Sequence, residues 1–328
     1  MATITDVGYL NLADVMARMN PDGSVRPIME ILNKQLEWLP DIPWMQCNLD
    51  TGHQLSYRTG LPSPQWRSLN QGVTLTKTTV GTYIETTGMI EDRAEVDVDM
   101  PGNMAANRMS EITGKTEMMS EEFARAVFYE STYTNVDRIH GLTPRYGGST
   151  GYTASSYVLK PGTNSGTNCH SVWLIDWGTD SIHGIFPKNS VGGLKHWDLG
   201  EIDCFDADGN KFRGYADRLQ WKCGIAVADY RQAVRFQWDP DDSTYFASTT
   251  KGMYTNMEDM LSVIRKRRPG ARFYADLTSL RLLRAQLANN DANFLTWSNG
   301  QDGLPAGDRF LGVPIRQTDV LLAETAIS

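Results

Sequence analysis

Apolar residues recur along this chain with a period that changes from segment to segment, and each period predicts a different element. Leu12, Val15, Met16 and Met19 share one helical face, Asn20–Gly23 is a turn, and Pro27 opens a second stripe of Ile28, Ile31, Leu32, Leu36 and Leu39. Proline suits the first position of a helix, and Pro40 and Pro43 end this one. The two short helices over 9–39 carry narrow apolar stripes, suited to lying on a neighbouring surface.

From 50 to 98 the helical period disappears. This stretch holds nine threonines, many charges and only scattered large apolar side chains. Threonine and valine favour pleated backbone, so Gln54–Arg58 and Val73–Thr79 read as strands of an extended ribbon. Pro62 and Pro64 must avoid central ladder positions. A two-stranded ribbon is marginal in water, so it needs a surface to lie on. The most economical surface is another copy of the same chain. Trp66, near the middle, has two readings: folded back on its own hairpin, or an anchor in another subunit.

Asp99–Glu130 then reads as one long helix. Asp99 is its cap, Pro101 stands in its first turn, and Ala105, Met109, Ile112, Thr116, Met119, Phe123, Ala126 and Val127 recur at helical spacing. At 1.5 Å per residue it spans about 45 Å. Residues 141–170, rich in glycine, serine and threonine, read as a loop.

Strands follow at Val172–Ile175, Ile182–Phe186, Glu201–Phe205 and Lys211–Arg213, with Asp208-Gly209 as the turn between the last two. Leu219–Phe236 reads as one or two long, largely buried strands. Two more helical stripes, Met257, Met260, Leu261, Ile264 and then Leu277, Leu280, Leu283, Leu287, flank a strand at Arg272–Ala275. Pro314 marks Phe310–Ile315 as an edge strand.

Composition narrows the chemistry. The chain has 328 residues, 41% of them hydrophobic, and a formal charge of −8, which argues against tight general binding to phosphate backbones. None of Cys47, Cys169, Cys204 and Cys223 makes a C-x-x-C pair, so they read as free buried thiols in a reducing cytoplasm. No apolar run is long enough to cross a bilayer, the first residues lack the features of a signal peptide, and no membrane partner is expected.

Catalytic motifs fail on their flanks. Gly147-Gly148-Ser149-Thr150-Gly151 has the spacing of a nucleophile elbow, but neither a buried strand before it nor a helix after it. Asp206–Gly209 resembles part of a calcium loop without its principal ligands and reads better as a hairpin tip. His53, His140, His170, His183 and His196 show no metal-ligand spacing, and His183 reads as a hydrogen-bonded structural residue. No glycine-rich phosphate loop occurs. Arg265-Lys266-Arg267-Arg268 ends a helix, where cations suit the dipole; it is also the candidate contact for an acidic neighbour or nucleic acid. No catalytic, cofactor or metal site is expected.

Several runs together resemble a family. Ala126–Tyr129 followed by Gly141-Leu142-Thr143-Pro144-Arg145-Tyr146, then Ser171–Gly178, His183–Lys188 with Gly193-Leu194, and Trp221–Arg231 are similar to the major capsid proteins of short-tailed bacteriophages. The resemblance covers roughly residues 30 to 320 and implies an α+β fold of the Hong Kong 97 type. Such a fold has an N-terminal arm, an extended hairpin called the E-loop, a long spine helix, a peripheral domain and an axial domain. On this chain they would fall at 1–49, 50–98, 99–240 (with the loop 141–170) and 241–328.

The strand block at 171–238 precedes the helix pair at 257–289, whereas in the fold's prototype the helices come first, so a rearranged threading is expected. The resemblance further implies a structural protein, many copies of which form hexamers and pentamers of an icosahedral shell in the virion, assembled in the bacterial cytoplasm. Scaffolding, portal and decoration proteins are its implied partners, with packaged nucleic acid inside. Contacts between copies are expected at Arg58, Trp66, Lys77, Glu91 and Asp92. No lysine–asparagine cross-link is expected. A tail or portal-associated component, or a hydrolase using Ser149, are the competing readings.

Overall fold

The computed structural model describes residues 38–50, 52–100, 104–147, 154–160, 166–190, 192–205, 208–241, 252–264, 269–288, 295–298 and 307–327. The helices expected over 9–39 lie outside these residues, apart from their last two positions. In chain order the first strands are β1 (Trp44–Gln46), β2 (His53–Gly60), β3 (Thr79–Glu85) and β4 (Gly88–Asp97), followed by the long helix α1 (Met104–Tyr129). Then come β5 (Val158–Leu159), β6 (His170–Asp176), β7 (Ile182–Phe186), β8 (Leu194–Phe205), β9 (Lys211–Val227) and β10 (Ala233–Trp238). The last elements are α2 (Met253–Val263), β11 (Ala271–Ala275), α3 (Leu277–Ala288), β12 (Leu295–Ser298), β13 (Gly307–Phe310) and β14 (Val313–Gln317). Two compact units divide the described chain: residues 89–125 with 193–222, and residues 38–88, 126–192 and 223–327.

In the first unit, β9 pairs with both β4 and β8. The β8–β9 hairpin runs from Leu194↔Trp221 to Phe205↔Lys211, with an irregularity between Asp198 and Gly200. Gly209 has φ +84°, the left-handed setting that the turn requires. Both strands are longer than their apolar patterns indicate, because most of β8 is exposed and gives little alternation to read.

Polar pairs tie this unit together. Buried Asp217 accepts bonds from Arg108 at 3.0 and 2.9 Å and stands 2.9 Å from His196 Nε2. On α1, the hydroxyls of Thr113, Thr116 and Ser120 donate to carbonyls four residues back at 2.9, 2.7 and 2.9 Å, so this polar face satisfies itself. Phe123 packs on Trp221 at 4.6 Å between ring centroids.

The described helix has 26 residues, about 39 Å, from Met104; its expected first turn at Pro101 lies outside the described residues. Its end is closed by a returning segment. Gly141, Leu142 and Thr143 donate backbone bonds to Glu130, Val127 and Phe128 at 2.8, 2.8 and 2.7 Å, satisfying carbonyls that a helix terminus leaves open. Only glycine fits at 141, since a Cβ there would stand 2.6 Å from the Ala126 carbonyl oxygen. Residues 141–147 are therefore not the loose loop that their composition indicates: Leu142 and Tyr146 are fully buried. Gly141→Ala is expected to destabilise the soluble protein by about 2–3 kcal/mol, the upper part of the ordinary range for one substitution, measurable by urea denaturation.

The second unit is built on a seven-stranded sheet in the order β12-β13-β14-β11-β6-β10-β5. Val172, Leu174, Val234, Phe236, Trp238, Phe273 and Ala275 share its core face with Met253, Met257, Met260 of α2 and Leu280, Leu283 of α3. Alternate residues serve the other face: Trp173 and Tyr274 lie 5.9 and 6.4 Å from Phe128, and Trp38 lies 5.3 Å from it. Both faces of β6 and β10 are covered, which is why these strands read as nearly continuous apolar runs. The strand-rich stretch 171–238 is thus shared between the units: β6 and β10 belong with the helix pair, and β8 and most of β9 belong with β4. β7 pairs with β1 and with the end of β9.

The expected edge strand at 310–315 is instead a hairpin inside the sheet. Leu311 and Gly312 have φ +47° and +83°, and β14 lies between β13 and β11. Pro314 is tolerated because pairing with β11 begins only at Ile315, so its missing N–H leaves no gap in that ladder.

Candidate assembly interface

Among the described residues β2 and β3 pair with each other alone, from His53↔Glu85 at the root to Gly60↔Thr79. The second strand falls at 79–85 rather than 73–79, because β2 reaches Gly60 opposite Thr79. Residues 61–78 continue as two extended limbs joined by a turn at Leu69-Asn70, where Asn70 has φ +64°. At the turn Gln71 N donates to the Ser68 carbonyl and Ser68 N to Gln71 Oε1, each at 3.3 Å; further along, long side-chain bonds link the limbs, Thr74 N to Gln65 Oε1 at 3.4 Å and Thr76 Oγ1 to the Ser63 carbonyl at 3.5 Å.

This arm is anchored at one end and bare at the other. Asn48 brackets the backbone of Gln54 with bonds of 2.8 and 2.7 Å. Buried Glu85 takes both donors of Arg145 at 2.6 and 2.7 Å. The Tyr83 hydroxyl donates to the Val227 carbonyl, and burial, then the Glu85 charge, push that phenol up to about 12. Beyond the root, Leu61, Trp66, Leu69, Val73 and Leu75 are exposed, and Trp66, Leu69 and Leu75 are almost entirely in solvent. From Gln54 to Ile84 the only charges are Arg58, Arg67 and Lys77, all positive, on a chain of net −8.

The expected contact residues separate into two groups. Arg58, Trp66 and Lys77 stand exposed on the arm. Trp66 is not folded back on its own hairpin. Glu91 and Asp92 lie on β4 and meet residues of their own chain: Glu91 accepts from Arg218 at 2.9 and 2.6 Å and from Gln220 at 2.7 Å, and Asp92 from Lys115 at 3.1 Å. Arg265, Lys266, Arg267, Arg268 and Ser149 lie outside the described residues. The sequence reading passed over Leu61, Arg67, Leu69 and Leu75; the acid-free run around them was the available signal. It also passed over Glu85 and Arg145, for which no local signal existed.

His183 is buried, as expected of a structural residue, and its ring faces the Gly178 backbone. All four cysteines are free and buried, as their spacing indicated. Among the described residues no group of three or more His, Cys, Asp or Glu is placed to hold a metal, and no helix is long and apolar enough to cross a membrane.

A protein whose exposed arm is rooted in its own core and finished by apolar side chains in water is a component of an assembly. Residues 20–327 match the family described as major capsid protein GP7, and the chain belongs to that family. It is similar to a chain of the cryo-EM structure of bacteriophage Epsilon15, with 28% identity, a TM-score of 0.77, and coverage of 100% of this chain and 99% of that one. It is also similar in fold to the capsid of bacteriophage JBD30, with 13% identity, a TM-score of 0.52, and coverage of 89% and 93%. No curated protein matches. The fold is that of Hong Kong 97-type capsid proteins, and the chain is a structural protein of the icosahedral phage shell.

Proposed function

We propose that this protein builds its shell without enzymatic activity, by laying the arm of each copy across another. The observation that supports this reading is the arm itself: a two-stranded ribbon with five large apolar residues exposed and, among the described residues, secured at its root. Arg58, Trp66 and Lys77 are its contact residues, with Leu61, Leu69 and Leu75 beside them. Copies associate as hexamers and pentamers in the host cytoplasm, and scaffolding, portal and decoration proteins join them around nucleic acid held by non-specific contacts. The sheet with α2 and α3 serves as the axial domain, and the unit of β4, β8 and β9 as the peripheral one.

Obligate interfaces of this kind bury upward of about 2,000 Å², enough to hold without a covalent bond. Electron microscopy of the overexpressed protein tests the reading: closed shells are expected, and tubes or rings would overturn it. On denaturing gels those shells are expected to run as monomers; a ladder of oligomers would reveal cross-linking and overturn the non-covalent reading.

A further inference from the structure

Three of the chain's five histidines gather around the Glu85–Arg145 pair at the arm root. His53 stands directly across the ladder from Glu85. Its ring meets that of His183 edge-on, 5.4 Å between centroids, at an interplanar angle of 89°. Both residues are buried; His53 Nδ1 has no hydrogen-bond partner among the described residues, and the His183 ring faces the Gly178 backbone. The backbone carbonyl of His140 accepts a bond from Arg145 at 2.9 Å. An apolar side chain would fill the place of His53 at the arm root without an orphaned polar atom.

We propose that His53, His183 and His140 form an acid-sensitive latch on the arm. Neutral, they let β2 and β3 rest against β7. Protonated, His53 and His183 place like charges beside each other and His140 adds one near Arg145; together they draw Glu85 away from its partner and free the root, so that the arm changes its setting in the shell. The proposal rests on the reading of residues 53–85 as the arm between copies.

The charges facing these rings decide the direction. Glu85 on β3 attracts a proton toward all three, and the Gly178 backbone and then Asp180 favour one on His183, but Glu85 is already matched by Arg145. Tyr83 holds its proton and gives no anion. Burial comes first in lowering each histidine, with Arg145 adding to it at His140 and His53 at His183. Each is therefore neutral in the closed root and takes up a proton more readily once the root opens. The closed form then loses stability as pH falls through the ordinary histidine value of about 6.5, and the loss levels off below the closed-state value.

Hydrogen exchange, expressed as protection relative to intrinsic rates, tests this on the full-length protein, unassembled and as shells. Between about pH 7.5 and about pH 5.5 the root strands 53–60 and 79–85 are expected to lose about tenfold or more of their protection, while β6 and β10 keep theirs. H53Q and H183F, the second keeping the ring contact, are each expected to reduce that loss. Unchanged wild-type protection at the root in the unassembled protein overturns the latch without touching the arm's role in assembly. An equal loss in wild type and in whichever variant folds also overturns it. Loss at the root with no change in shell dimensions by electron microscopy would overturn its effect on the shell.

Discussion

Replacing residues 61–78 by a two-residue turn between Gly60 and Thr79 is expected to give a folded, soluble protein that forms no shells. Gly60 and Thr79 already face each other across the ladder, so a short turn closes the hairpin without disturbing the root. Among the described residues the removed segment makes one backbone bond at its own turn and a few long side-chain bonds, which leaves little stability to lose. Thermal unfolding of the shortened protein should therefore stay within a few degrees of the full-length protein. Assembly should fail because the segment carries apolar side chains that no described residue covers. Each limb, 61–68 and 71–78, reaches roughly 25 Å, long enough to cross much of a neighbouring domain.

Trp66→Ala alone should weaken every arm contact in the shell at once. Aromatic anchors of this kind are commonly worth about 2 kcal/mol or more each, and a closed shell repeats the loss in every copy. Normal shells from the shortened protein, seen by electron microscopy at wild-type yield, would remove the arm from the assembly mechanism.

The arm was legible in the sequence because its signal is compositional. Threonine-rich backbone without apolar partners can be read locally, and so can the long helix, whose stripe runs through Met119 and Phe123 to Val127. The buried strands β6 and β10 were legible because covering both faces removes polar residues from them. What failed depended on pairing between distant segments. The position of β3 follows from the register at His53↔Glu85, which no local pattern fixes. The internal place of β14 follows from where its ladder with β11 begins. The glycine-rich stretch after α1 looks mobile by composition, yet Gly141 is there because only hydrogen fits beside the helix carbonyls. The pair Glu85–Arg145 joins residues 60 positions apart, and neither residue stands out in its own neighbourhood.

Arg235→Met is expected to be among the most damaging single changes in the second unit. Arg235 is buried, its Nε donates to Ser171 Oγ at 3.1 Å, its Nη1 to the Tyr146 carbonyl at 3.1 Å, and its Nη2 to Glu324. The guanidinium also lies 5.4 Å from the centre of the Trp173 ring. Around the same carboxylate, Gln237 donates to Glu324 at 3.3 Å and to the Thr325 carbonyl at 3.1 Å, and its amide oxygen accepts from Ile327 N at 2.8 Å. The final segment, which has no apolar period of its own, is thus fastened to β10 by a charge pair and one glutamine.

Methionine fills most of the arginine's volume but leaves Glu324 a nearly buried anion without its cation, which costs about 3–5 kcal/mol. A domain of ordinary stability has only about 5–15 kcal/mol in total, so the variant should unfold at clearly lower urea and lose soluble yield. Replacing both partners, R235M with E324M, should recover most of the loss, because the desolvated charge is then gone. Equal destabilisation in the single and double variants would mean that the lost bonds from Arg235 to Ser171 and Tyr146, rather than the charge pair, account for the damage.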